Sequence, residues 1–230
     1  MVELDQTLAE KLVLSCRILA REGHSDITLG HVTARLPGKG YIHMKPSGLG
    51  LEEVRVEDII VIDLDGNKLS GARPRHSEYP IHTEIYKTRS EVNCVIHTHP
   101  LYATALGAVG GKLDPVSHEG VLFLDLPLFT ETTELIRTPD QGRALAGCLG
   151  GARAALMQNH GVVVVGESVE EATVYAILLE KAARVQRLAR DMGDPVCSSS
   201  EESRRKVQQI YHSGNIKTFW NYYVRNLKSG

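Results

Sequence analysis

Val95-Ile96-His97-Thr98-His99-Pro100 decides how the rest of the chain is read. Its apolar, β-branched approach predicts a strand from Asn93 to His99, ended by Pro100. Side chains alternate faces along a strand, so His97 and His99 point the same way. Two imidazoles on one face can share a metal ion about 2.0–2.1 Å from each nitrogen. Histidine also serves often as a plain hydrogen-bonding residue, so the pair alone leaves both roles open. Further along, Ala154 to Met157 and Val162 to Val165 read as strands joined by the turn Gln158-Asn159-His160-Gly161. His160 projects there from fixed backbone, and Gly161 suits an unusual backbone angle or a close approach. An Asn-His-Gly turn is common without any ligand. Taken together, His97, His99 and His160 form a candidate three-nitrogen site with at least one open position.

Outward from these strands the periodicity is mixed. Thr7 to Glu22 carries apolar residues at helical spacing and stops at Gly23. Val32 to Leu36 and Tyr41 to Lys45 are predicted strands around the hairpin signal Pro37-Gly38-Lys39-Gly40. Ile59 to Asp63 is a further strand, followed by the turn Asp65-Gly66-Asn67. Ser77 to Thr88 reads as a helix with Pro80 in its first turn, where a missing N–H does no harm. A short helix is expected from Leu101 to Leu106, and mixed strand and loop from Pro115 to Pro127. Pro139 to Leu149 is a helix closed by Gly150-Gly151. Val169 to Met192 is a long helix, broken by Asp194-Pro195. Ser198-Ser199-Ser200 caps a final helical segment whose aromatics, Phe219 to Tyr223, are expected to pack on a neighbouring subunit. Strands and helices interleave without a strict β-α-β-α rhythm. The expectation is α/β, with a mixed, largely antiparallel sheet covered by helices on both faces. The whole of 1–230 is expected to be a single domain with a helical tail from about residue 195.

Composition excludes some function classes. Twenty-six basic residues against 28 acidic ones give a net charge of -2, with no basic footprint for nucleic acid. No apolar stretch approaches the roughly 20 residues of a membrane helix, and the N-terminal sequence has no secretory pattern. Cys16, Cys94, Cys148 and Cys197 are far apart, with no CxxC pair, which fits a reducing cytoplasm. Gly107-Ala108-Val109-Gly110-Gly111 follows a helix rather than a strand and so fails as a dinucleotide fingerprint. No Gly-x-Ser-x-Gly elbow is present. His24, His43, His82 and His212 are read as surface or structural.

Ser77-Glu78, then His97-Thr98-His99-Pro100, then Asn159-His160-Gly161 resemble, in order and spacing, the class II aldolase/adducin family. Gly30-His31-Val32-Thr33-Ala34-Arg35 is similar to that family's Gly-Asn-Ile-Ser-Val-Arg segment, and Lys45-Pro46-Ser47-Gly48 to its Thr-Pro-Ser/Thr-Gly loop. The resemblance covers roughly residues 7 to 190. It implies a three-layer α/β/α fold around a mostly antiparallel sheet. It implies a homotetramer with active sites between subunits. It also implies one divalent metal per subunit, zinc first and manganese, iron or cobalt next, held by His97, His99 and His160. The family's catalytic glutamate falls on Glu78, which taken alone would read as a helix N-terminal carboxylate.

Such a metal acts as a Lewis acid on substrate oxygens. Retro-aldol cleavage and decarboxylation both need charge withdrawn in that way, with Glu78 moving the proton. The phosphate cup of sugar-phosphate aldolases is built from small polar groups. Here the matching substrate positions are Gly30, His31, Ser47, Gly48, His76 and Ser77. Two imidazoles, His31 and His76, shrink a phosphate cup and would instead hold a carboxylate through charge-assisted hydrogen bonds. Arg73 and Arg75 are either part of an anion site or solvated loop cations. Val116-Ser117-His118-Glu119-Gly120 is a second departure: His118 and Glu119 are a second acid/base pair or a structural hydrogen bond. The pattern looks like the family's non-phosphate branch, which decarboxylates hydroxylated aromatic acids such as 3,4-dihydroxyphthalate. An aldolase acting on a hydroxy-ketone sugar or sugar phosphate is the alternative. A non-catalytic module like the adducin head is the reading from another class.

Overall fold

The computed structural model describes residues 4–228. Met1-Val2-Glu3 and Ser229-Gly230, the ends of the expected 1–230 unit, lie outside the described residues. The first helix, α1 (Gln6–Leu19), starts where Asp5 accepts a hydrogen bond from the Leu8 amide. Its continuation over Ala20–His24 widens and ends as Gly23 turns to φ 88°. Among the described residues eight strands follow: β1 (His31–Ala34), β2 (Tyr41–Met44), β3 (Ile60–Asp63), β4 (Lys68–Ser70), β5 (Cys94–Thr98), β6 (Leu128–Phe129), β7 (Ala154–Met157) and β8 (Gly161–Gly166). They form one sheet in the order β4-β3-β2-β1-β5-β8-β7-β6. All neighbours are antiparallel except β6 and β7.

The remaining helices are α2 (Tyr79–Thr88), α3 (Leu101–Ala108), α4 (Pro139–Leu149), α5 (Val169–Met192), α6 (Ser200–Ile210) and α7 (Ser213–Lys228). Strand alternation divides the core. Ile96 of β5 and Val164 of β8 pack with α1, α5 and α7, whereas Val95 and Val163 pack with α2 and α4. Helices on both faces of one sheet make the expected three-layer α/β/α architecture.

Two expectations need correction. No strand forms within 115–127 among the described residues; Gly120–Phe123 is instead a short 3₁₀ turn, and β6 begins only after Pro127. The C-terminal segment is two helices rather than one. Of its aromatics, Trp220 is buried with Ile216 in this chain's own core, while Tyr222 is exposed. The four cysteines are unpaired. Among the described residues no helix is long and apolar enough to cross a membrane.

Candidate metal centre and active site

The site lies on the α2 face of the sheet, where β1, β5 and the β7–β8 turn meet the start of α2. Antiparallel register puts His31 of β1 directly opposite His97 of β5, with ring centroids 4.9 Å apart. His99 follows one step past the end of β5. His160 stands in the β7–β8 turn, where Asn159 takes the left-handed conformation at φ 54°. Gly161 supplies close approach: a Cβ there would stand 2.5 Å from both the Thr98 carbonyl and His99 Cδ2.

One nitrogen each of His97, His99 and His160 lies within 4.8 Å of the others. His97 Nδ1 donates to the Val162 carbonyl at 3.0 Å, and His99 Nδ1 donates to Asp26 Oδ2 at 2.8 Å. A carbonyl or carboxylate only accepts, so both rings, when neutral, keep Nε2 unprotonated. Those two Nε2 atoms face each other at 3.1 Å. Lone pairs so close repel unless a cation sits between them. Ligands about 2.1 Å from a shared ion at the tetrahedral angle stand about 3.4 Å apart. His160 adds a ring whose Nδ1 and Nε2 are both buried with no hydrogen bond. This donor set fits zinc or a similar divalent ion.

Glu78 occupies the N-cap position of α2, yet its side chain makes no capping bond. Oε1 instead accepts from the Ile136 amide at 2.8 Å and lies 3.4 Å from His160 Nε2. Oε2 lies 3.9 Å from Nε2 of both His31 and His97. The helix-terminus reading of Glu78 is therefore not what its geometry serves. Burial pushes His31 and His97 well below the ordinary histidine value, and His76 down to about 4.

Asp26, Gly30, His31, Ser47, His76, Ser77, Glu78, His99, Arg137 and His160 are among the walls of a cleft of about 500 Å³. The expected substrate positions 30, 31, 47, 76 and 77 therefore converge; Gly48 does not line it. His76 Nε2 donates to the Pro46 carbonyl at 3.0 Å. Arg73 is paired with Asp58 and Arg75 stacks on Tyr79 at 3.9 Å, so neither lines the cleft. Arg137 does, a residue the sequence reading passed over. Asp26 was also missed: it is 73 positions from the histidine it orients, and nothing in Ser25-Asp26-Ile27 announces it.

His118 and Glu119 lie elsewhere in this chain. They line a separate cleft with Lys181, Tyr211 and Tyr223. Glu119 is paired with Lys181 at 2.7 Å, and the His118 carbonyl accepts from the Tyr211 hydroxyl at 2.8 Å.

The architecture and the histidine geometry together are those expected of class II aldolases. The chain belongs to the class II aldolase and adducin N-terminal domain family, whose profile matches residues 10–187. It is 25% identical over 236 residues to 3,4-dihydroxyphthalate decarboxylase of Arthrobacter keyseri, covering 96% of this chain and 94% of that one. It is 34% identical over 169 residues to the decarboxylase NovR of Streptomyces niveus, covering 72% of this chain but only 62% of NovR. Among solved structures, L-fuculose 1-phosphate aldolase from Glaciozyma antarctica PI12 superposes with a TM-score of 0.86 at 26% identity, over 97% of this chain and 89% of that one.

Proposed function

We propose that this protein is a metal-dependent carbon–carbon lyase that decarboxylates a hydroxylated aromatic acid of the 3,4-dihydroxyphthalate kind. The observation that carries the lyase reading is the converging nitrogens of His97, His99 and His160, with the buried Glu78 carboxylate beside two of those rings, His97 and His160. The relatives that are decarboxylases support the reaction, and the near full-length match to the dihydroxyphthalate enzyme supports the substrate class.

His97, His99 and His160 would hold the ion, and Asp26 would keep His99 Nε2 turned toward it. When bound, a divalent ion supplies Lewis acidity toward substrate oxygens and a sink for charge developing beside the broken bond. Glu78, resting as a carboxylate, takes the proton of a substrate hydroxyl at Oε2. As the bond to the carboxylate carbon breaks, carbon dioxide leaves and its electron pair stays on the ring carbon. Glu78 then returns the proton to that carbon, and the substrate oxygen it came from takes a proton from solvent, so each turnover consumes one proton and replaces the carboxylate by hydrogen. Arg137 gives the cleft a permanent positive charge for an acidic substrate.

The aldolase reading is favoured by one observation, the likeness to the fuculose 1-phosphate enzyme. Both readings are carried by a 1–230 unit working as a cytoplasmic homotetramer, in which a neighbour would approach the open side of the cleft. Any part that His118 and Glu119 take in the chemistry would be played across that subunit contact. The deciding experiment loads the protein with zinc, manganese or iron and follows carbon dioxide release from 3,4-dihydroxyphthalate beside cleavage of L-fuculose 1-phosphate. Release of carbon dioxide is expected; cleavage of the sugar phosphate alone would overturn the proposal.

A further inference from the structure

Behind the cleft a buried hydrogen-bonded chain runs from His31 into the space between β1 and α2. Glu78, His82 and Tyr86 recur at four-residue intervals, so all three share the face of α2 that meets β1. His31 and Thr33 face them from the strand. His31 Nδ1 lies 2.5 Å from His82 Nε2, and His82 Nδ1 lies 2.7 Å from Thr33 Oγ1. Thr33 Oγ1 is 3.0 Å from the Tyr86 hydroxyl, which is itself 3.0 Å from the Thr33 carbonyl. His31, Thr33, His82 and Tyr86 are all at most 2% exposed. Water is therefore no substitute partner.

The inventory of protons fixes the direction of this chain. A carbonyl only accepts, so the Tyr86 hydroxyl proton goes to the Thr33 carbonyl. The single Thr33 hydroxyl proton then goes to Tyr86 Oη at 3.0 Å rather than to the more distant Val95 carbonyl at 3.5 Å, and to either acceptor it is spent. Thr33 Oγ1 has no proton left for His82, so His82 Nδ1 must donate to it. A neutral His82 with its proton on Nδ1 has a lone pair on Nε2, and His31 Nδ1 must donate there. His31 is left with a lone pair on Nε2. The opposite direction, from Tyr86 toward His31, leaves the contact to the Thr33 carbonyl unmade, and one polarity alone satisfies all four contacts.

We propose that His82, through this chain, fixes His31 in the tautomer that offers the cleft a lone pair on Nε2, and that the substrate group seated there is a hydroxyl rather than a phosphate or carboxylate oxygen. His31 Nε2 stands 3.9 Å from Glu78 Oε2. Both atoms are acceptors, so an O–H entering between them has a partner for its proton. An anionic oxygen has none and is repelled by both. His76 cannot compensate, because its N–H is already given to the Pro46 carbonyl. The charge-assisted carboxylate contact expected of these two imidazoles therefore passes to Arg137. His31 is thus a specificity residue and His82 a positioning residue. The hydroxyl's place in an aromatic acid rests on the proposed function; the tautomer and the preference for a hydroxyl do not.

Neutron diffraction from deuterium-exchanged crystals tests the tautomer directly. Deuterons are expected on Nδ1 of His31 and His82, and none on His31 Nε2. A deuteron on His31 Nε2 overturns the tautomer and with it the proposal; a zinc soak that puts an ion against that atom keeps the tautomer but overturns the seating of a hydroxyl there. Calorimetry on the zinc-loaded protein tests the preference, with catechol and inorganic phosphate as probes. Wild type is expected to favour catechol. His31→Asn is expected to bind catechol about tenfold more weakly, the size of one buried hydrogen bond, without losing phosphate affinity. Equal catechol affinity in the two proteins, or a wild-type preference for phosphate, overturns the proposal. Failure to decarboxylate dihydroxyphthalate, with the tautomer and the catechol preference intact, would sink the proposed function alone.

Discussion

Replacing Gly161 by alanine should disable the ion cage without touching any of its ligands. The added Cβ would stand 2.5 Å from His99 Cδ2 and from the Thr98 carbonyl, where ordinary contact begins at 3.4 Å. Both contacts must therefore open by about 0.9 Å. The carbonyl belongs to β5, which is held to β8 through the Thr98–Val162 pair, so that clash strains the backbone pairing while the other pushes the imidazole aside. Overpacking of this kind costs about 1–3 kcal/mol of stability. Metal bonds tolerate displacements of only about 0.2 Å, so the ring must leave its ligand position. We expect Gly161→Ala to lower zinc affinity at least tenfold, read by competition with a fluorescent chelator, and to lower the melting temperature of the metal-free protein. Gly147→Ala is the control. Gly147 is exposed within α4, with nothing within 4 Å of its Cβ position. It should raise stability by about 0.5–1 kcal/mol and leave zinc binding unchanged. Wild-type zinc affinity in Gly161→Ala would refute the claim that this glycine exists for the approach of His99.

Other outcomes can be checked on the same protein. Glu78→Gln should retain zinc, by metal analysis, while losing about 10²–10⁴-fold in turnover, the usual worth of a positioned acid/base. Arg35, buried, donates to the carbonyls of Tyr86, Arg89, Ser90 and Val92. Arg35→Met should cost about 2–4 kcal/mol in urea unfolding, because these acceptors at the end of α2 lose their partner. Lys45, buried beneath the cleft, donates to the Thr28 and Gly30 carbonyls. Burial lowers its pKa from 10.5 to about 8. Between those values the unfolded chain binds more protons than the folded one, so stability gains with rising pH. The unfolding free energy of wild type relative to Lys45→Met should therefore increase from pH 8 to pH 10; a flat difference would exclude a depressed lysine.

Much of the sheet was legible because its central strands carry strong local signals. Val95 to His99 and Val162 to Val165 alternate cleanly between two buried faces, and Pro37-Gly38-Lys39-Gly40 leaves little but a hairpin between β1 and β2. β4 and β6 were missed because three and two residues are too short to show a period. Their pairing comes from neighbours, not from propensity. The convergence of His97, His99 and His160 could be read from motif order, but its supports could not. Asp26 reaches His99 across a loop, and His82 matters only once the β1–α2 contact is known. Four-residue spacing among Glu78, His82 and Tyr86 was visible in the sequence; what that face meets was not. The tail was ambiguous for a related reason. An aromatic cluster signals a buried surface without saying whose; Trp220 is buried in this chain's own core, while Tyr222 is exposed.

The rung that pairs His31 with His97 has a consequence for how such a protein changes under selection. On the proposed reading, the residue that greets the substrate and a residue of the cation cage sit side by side, but on different strands. Position 31 can trade an acceptor for a donor while its neighbour stays fixed, so a lineage can explore new substrates without first dismantling its electrophile.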